Sequence, residues 1–137
     1  MHNKNKTIEK VLFMLDKSPL KLTNQRKQLI DLIFSGGHCH FTAEDIYKKA
    51  KRYKIKVSLA TVYNNLNSFK DNGMLNVVKA SSDKIYFDTN IDNHHHFYCE
   101  KSGKLLDIDN DHVIIQKLPK SPKGYNIKNV NVIINLE

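Results

Sequence analysis

At 137 residues the chain is long enough for one ordinary domain or two small ones, and 22 Lys/Arg against 14 Asp/Glu give it a formal charge of +8. Two cysteines argue against a disulfide framework, and an N-terminal apolar run of only five residues, Val11 to Leu15, is too short for a secretory leader or a membrane span. A soluble cytoplasmic protein with reduced thiols and no membrane partner is expected.

The charge is uneven along the chain. Residues 1–84 carry 16 Lys/Arg and 7 Asp/Glu, a net +9, whereas residues 85–137 carry 6 and 7, a net −1, so the first part is the candidate polyanion binder. In chain order, Ile8, Val11, Leu12 and Leu15 have helical spacing before Ser18-Pro19 breaks the pattern. Thr23 caps a second helix with Leu29, Ile30, Ile33 and Phe34 buried, stopped by Gly36-Gly37. Thr42 and Asp45 form a capping box for a third, with Ala43, Ile46, Tyr47 and Ala50 inward.

Ser58 caps a fourth helix that runs to Gly73 on a stripe of Leu59, Val62, Leu66 and Phe69. Its other face offers Ala60, Thr61, Tyr63, Asn64, Asn67 and Lys70, with no carboxylate before Asp71. Side chains of these types touch thymine methyls, adenine edges and phosphates from a helix in the major groove. Two extended runs, residues 75–79 and 84–88, then make a hairpin, and helices followed by such a wing spell a winged helix-turn-helix.

Beyond Asn90 come His94-His95-His96, six residues after Asp88 and eleven before Asp107. On a strand His94 and His96 share one face and His95 points away. A hairpin turning through Glu100 to Gly103, with Cys99 opposite Lys104, sets His96 opposite Asp107. Two imidazoles and a carboxylate suit Zn, Fe or Mn rather than Ca or Mg. A short helix near residues 111–117, a Pro119 to Pro122 break and a last strand with Val130, Val132, Ile134 and Leu136 alternating complete the chain. A lobe of this size buries little apolar surface by itself, so a two-fold partner is expected. The fold class is α+β: a winged-helix DNA-binding domain with wing and hinge over residues 1–90, then a small α/β metal-binding and dimerisation domain over 91–137. Two His and one Asp also make the facial triad of non-haem iron oxygenases. No phosphate loop, nucleophile elbow or dinucleotide fingerprint accompanies them, so an enzyme is not expected.

The sequence of marks, Pro19 to Thr23, His40-Phe41-Thr42-Ala43-Glu44-Asp45-Ile46-Tyr47, Ala60-Thr61-Val62-Tyr63, the His triplet and Cys99-x-x-Ser102-Gly103-Lys104, resembles the ferric uptake regulator family over nearly the whole chain. Within it, Val57 to Asn64, His94 to Tyr98 and the ending from Gly124 to Ile134 look most like the iron response regulator branch. The resemblance implies a metal- or haem-responsive transcriptional regulator of iron homeostasis, by family habit a repressor. The resemblance also implies a homodimer on a palindromic, A/T-rich operator in double-stranded DNA. A peroxide-responsive or manganese/zinc-responsive member of the same family is the alternative.

By spacing, the regulatory ligands carry over to His40, Asp88, His94, His96 and Asp107, with Fe2+ or Mn2+ as the resident ion and Zn2+ the occupant expected after purification. Haem at His94, His95 and His96, or a second site joining His95 and His112, is also implied. For DNA, the resemblance points to Tyr63 at the bases and Lys21 in the minor groove; Ala60, Thr61 and Asn64 are added from the chemistry of the fourth helix's polar face, and Arg26 as a further basic side chain. Most members hold a structural zinc with two Cys-x-x-Cys pairs, but here Ser102 stands for one cysteine and none follows Cys99, so no structural zinc is expected.

Overall fold

Each of three helices begins where a side-chain oxygen accepts an otherwise unpaired first-turn amide. The computed structural model describes residues 4–137, which divide into two compact units, one running to Ile91 and the other Asp92–Glu137. In the first unit, α1 is Lys4–Asp16, α2 Asn24–Phe34, α3 Ala43–Arg52 and α4 Leu59–Asp71. Thr23 Oγ1 accepts from the Arg26 amide at 3.1 Å and Ser58 Oγ from the Thr61 amide at 3.1 Å. Thr42 and Asp45 close a reciprocal box, Asp45 N to Thr42 Oγ1 at 3.2 Å and Thr42 N to Asp45 Oδ2 at 2.9 Å.

The two later helices end in the same way. The amide of Ile55 reaches the carbonyl of Ala50 and that of Met74 reaches Phe69, each at 2.9 Å, while Lys54 N bonds Lys51 O and Gly73 N bonds Lys70 O. This termination needs a left-handed residue after the cap. At α4 it is Gly73 (φ +77°), and at α3 it is Lys54 (φ 56°), which pays a steric penalty for its Cβ. A Cβ at Gly73 would meet nothing closer than Met14 Cε at 4.0 Å, so only the backbone opposes one there. Gly73→Ala is expected to lower stability by about 1 kcal/mol and Lys54→Gly to leave it unchanged or raise it by up to about 1 kcal/mol. Urea unfolding of both variants checks the pair, and equal losses in the two would contradict it.

The apolar faces of the helices meet in one core containing Leu15, Ile30, Ile33, Phe34, Ala50, Val62, Leu66 and Phe69. Beside it lies a three-stranded antiparallel sheet, order β1-β3-β2, from β1 (His40–Phe41), β2 (Asn76–Ser81) and β3 (Lys84–Asp88). The wing is β2 and β3, tighter than the sequence pattern indicates: Ser81 pairs with Lys84 across a two-residue turn after an irregularity between Lys79 and Ser81. His40, two residues ahead of the Thr42 cap, belongs to β1, where it pairs with Asp88.

The second unit is a three-stranded sheet, order β5-β4-β6: β4 is His95–Cys99, β5 Lys104–Ile108 and β6 Ile133–Leu136. β4 and β5 form the expected hairpin, with Cys99 opposite Lys104 and His96 opposite Asp107, and Gly103 (φ 71°) makes the turn, its amide bonding Cys99 O at 2.7 Å. β6 joins the other side of β4 in parallel. The helix expected over residues 111–117 is not formed. One 3-10 turn, Asn110–His112, ends at an extended Val113, and residues 113–132 contain no helix or strand. The first turn has no side-chain cap, the β-branched run Val113-Ile114-Ile115 disfavours helix, and Ile114, 89% exposed, has no core to bury it. Among the described residues, no helix is long and apolar enough to cross a membrane.

Candidate metal centre and DNA-reading face

The first unit contributes a His–Asp pair created by strand register. Antiparallel pairing of β1 with β3 sets His40 opposite Asp88, and His40 Nε2 lies 3.2 Å from Asp88 Oδ2. The carboxylate is 1% exposed; its other oxygen accepts from the Asn90 amide at 2.9 Å. Next to it Thr89 Oγ1 accepts from the Cys39 amide at 2.9 Å, fixing the short strand that carries His40. Burial pushes the Cys39 thiol pKa up, against the small downward pulls of Thr89 and Lys49, so this sulfur is a protonated thiol beside the pair.

The second unit aims two imidazoles at one carboxylate oxygen. His94 Nε2 and His96 Nε2 lie 3.2 Å and 3.3 Å from the same oxygen, Asp107 Oδ1, and the two rings sit 4.5 Å apart between centroids. His94 Nδ1 is 2.7 Å from the carbonyl of Asp92. A carbonyl only accepts, so Nδ1 carries a proton and, in the neutral tautomer, the Nε2 lone pair faces Asp107. A lone pair facing a carboxylate oxygen at that distance is repulsive unless a cation lies between them, either a proton on the ring or a metal ion. The donor set therefore fits a divalent transition ion: imidazole nitrogens held by a backbone acceptor, with a carboxylate as counter-charge.

His95 points away, as strand alternation requires, and is 2% exposed. Its Nδ1 accepts from the Val132 amide at 3.0 Å, while Val132 O accepts from the His96 amide at 3.1 Å. The middle histidine thus secures the chain just ahead of β6. His112 lies in the 3-10 turn, where its ligand atoms cluster with those of exposed Asp109 and Asp111 rather than with His95. At the hairpin knuckle, hydrogen bonds from Ser102, side chain first and backbone second, lower the Cys99 thiol pKa.

On α4, Ala60, Tyr63 and Asn64 are exposed and Thr61 is half-buried, its Oγ1 accepting from Ser58 Oγ at 2.9 Å. Tyr63 donates its hydroxyl to Glu44 Oε1 on α3 at 2.8 Å; that bond, ahead of a small burial effect, raises the tyrosine pKa. Lys21 is exposed. Arg26 is tied inward: Nε donates to Asn65 Oδ1 at 3.0 Å and a terminal nitrogen to Lys21 O at 2.7 Å. Asn65 in turn donates to Thr61 O at 2.9 Å. Arg26 and Asn65 therefore fix the start of α2 and the Lys21 backbone against the first turns of α4. Sequence reasoning missed Asn65, although the signal was present, because position 65 falls between Val62 and Leu66 on the buried stripe.

Comparison with known proteins places this arrangement. The model of the ferric uptake regulator family matches residues 17–135. The peroxide-responsive repressor PerR of Staphylococcus epidermidis is 36% identical over 100 residues, which are 73% of this chain and 66% of that protein. PerR of Staphylococcus aureus strain Mu50 is 34% identical over 73% of this chain and 67% of its own length. The chain thus matches about two thirds of the length of these repressors. Among solved structures, the ferric uptake regulator of Pseudomonas aeruginosa with manganese shares the fold, with a TM-score of 0.71 at 23% identity over 91% of this chain and 95% of that one.

Proposed function

This chain belongs to the ferric uptake regulator family, and on that premise we propose that it is a divalent-metal-responsive repressor that binds double-stranded DNA as a homodimer. The observation that carries the reading is the pair of imidazoles, His94 and His96, aimed at one oxygen of Asp107. His40 and Asp88 are proposed as further ligands, by the family motif that the chain matches. A bound Fe2+ or Mn2+ supplies the positive charge that those nitrogens and carboxylates lack. Binding that favours one arrangement adds RT ln(1 + [L]/Kd) to it, about 2.7 kcal/mol at a hundredfold excess of ion over Kd. That increment is close to a hundredfold in DNA affinity.

The DNA reading draws on the basic first unit, its winged helix and the acid-free face of α4. The dimer reading draws on the second unit. There β6 is an edge strand with Ile134 and Leu136 exposed, and Leu106, Leu118, Tyr125 and Ile127 are exposed as well. The test is selection of a binding sequence from random duplex DNA with Mn2+ present, followed by anisotropy titration of that duplex with metal-free and metal-loaded protein. Tight binding only with metal supports the proposal. Affinity indifferent to metal would make the ion structural and refute it.

Peroxide response is the second reading, favoured by the names of the relatives and by aspartate at both carboxylate positions, 88 and 107. If it holds, peroxide abolishes DNA binding by the Fe2+-loaded protein and spares the Mn2+-loaded form, since Fe2+ is the ion that peroxide readily oxidises. The iron response branch and its haem rest on motif resemblance alone. The triplet is 9%, 2% and 3% exposed, so a porphyrin would have to draw these rings out into solvent.

A further inference from the structure

Beside the polar and basic residues of the proposed DNA-reading face stands an acidic side chain of α3. Glu44, in the first turn of α3, is exposed and accepts the hydroxyl proton of Tyr63, itself exposed on α4. Tyrosine has a single hydroxyl proton, so with that proton committed the oxygen can only accept further bonds. The ring edge remains apolar. A carboxylate also accepts only, and its charge opposes phosphates and the N7 and O6 acceptors of guanine.

We propose that Glu44 is a specificity-determining residue, locking Tyr63 so that the pair accepts a thymine methyl and the amino group of adenine or cytosine while rejecting guanine. The inference rests on the DNA-binding function proposed above and extends it to a residue on α3 rather than on the recognition helix. Two consequences follow from the shared bond. Glu44→Gln keeps an acceptor for Tyr63, removes the charge and adds an amide donor that can pair with guanine. Tyr63→Phe keeps the ring and releases the carboxylate. Both changes therefore relax the same base position.

The experiment is selection from a random-sequence duplex library by Mn2+-loaded wild type, Glu44→Gln, Tyr63→Phe and the double variant, each first shown by thermal melting to be folded. Wild type is expected to exclude guanine at one position per half-site. Each single variant should lose about fivefold or more of that discrimination, and Glu44→Gln should bind unselected duplex more tightly than wild type does. The double variant should lose no more than the worse single one, because the two residues act as a unit. Variants that select the wild-type sequence with unchanged preference, or that relax different positions additively, overturn the inference. If wild type itself enriches nothing, the DNA-binding function fails first, an outcome distinct from a wild type that selects a sequence the variants share.

Discussion

Replacing His94 and His96 together by alanine lowers the DNA affinity of the metal-loaded protein about a hundredfold, to that of metal-free wild type. Both imidazoles face Asp107 Oδ1, and His94 is aimed by the Asp92 carbonyl, so the change removes two of the three ligands proposed in the second unit. The metal-free variant should bind DNA as weakly as metal-free wild type, because α4 and its caps lie wholly in the first unit. Anisotropy with Mn2+ titrated against fixed protein and duplex reads both states. A double variant that keeps its metal response would sink the proposed switch.

Phe69→Ala is expected to destabilise the first unit by about 3 to 5 kcal/mol. The ring is 0% exposed at the centre of the helical core, and its carbonyl anchors the Met74 amide that ends α4. A loss of that size is a large part of a typical domain's stability of about 5 to 15 kcal/mol. DNA binding should then fail on modest warming, since α4 carries the reading face. Urea unfolding followed by helical circular dichroism measures the loss, and a change below about 1 kcal/mol would show that the core closes around the missing ring.

The helix starts were legible in the sequence because each is written within four residues: Thr23 to Arg26, Thr42 to Asp45, Ser58 to Thr61. The histidine hairpin was legible for a similar reason. Its turn is local, and alternation from Cys99 and Lys104 back to His96 and Asp107 leaves one register that keeps Tyr98 and Leu105 buried. What escaped depends on partners distant in sequence. Nothing near His40 announces its pairing with Asp88, 48 residues on. The parallel docking of β6 on β4 and the Val132 contacts of His95 are hidden in the same way. Periodicity over residues 111–117 promised a helix, yet apolar spacing builds one only where a core receives it, and Ile114 and Ile115 face solvent. The bond between Tyr63 and Glu44 joins residues 19 apart on two helices, so the sequence displayed the polar face of α4 without the acid bonded to it.

Titrating metal-free wild type, His40→Ala, His96→Ala and the double variant with Co2+, followed by its visible absorption, tests most directly whether His40 belongs with His96 to the proposed ligand set. The account predicts one ion per chain, a marked loss of affinity in each single variant, and a double variant whose loss is not the sum of the two. Binding to His94, His96 and Asp107 that ignores the loss of His40 would contradict it.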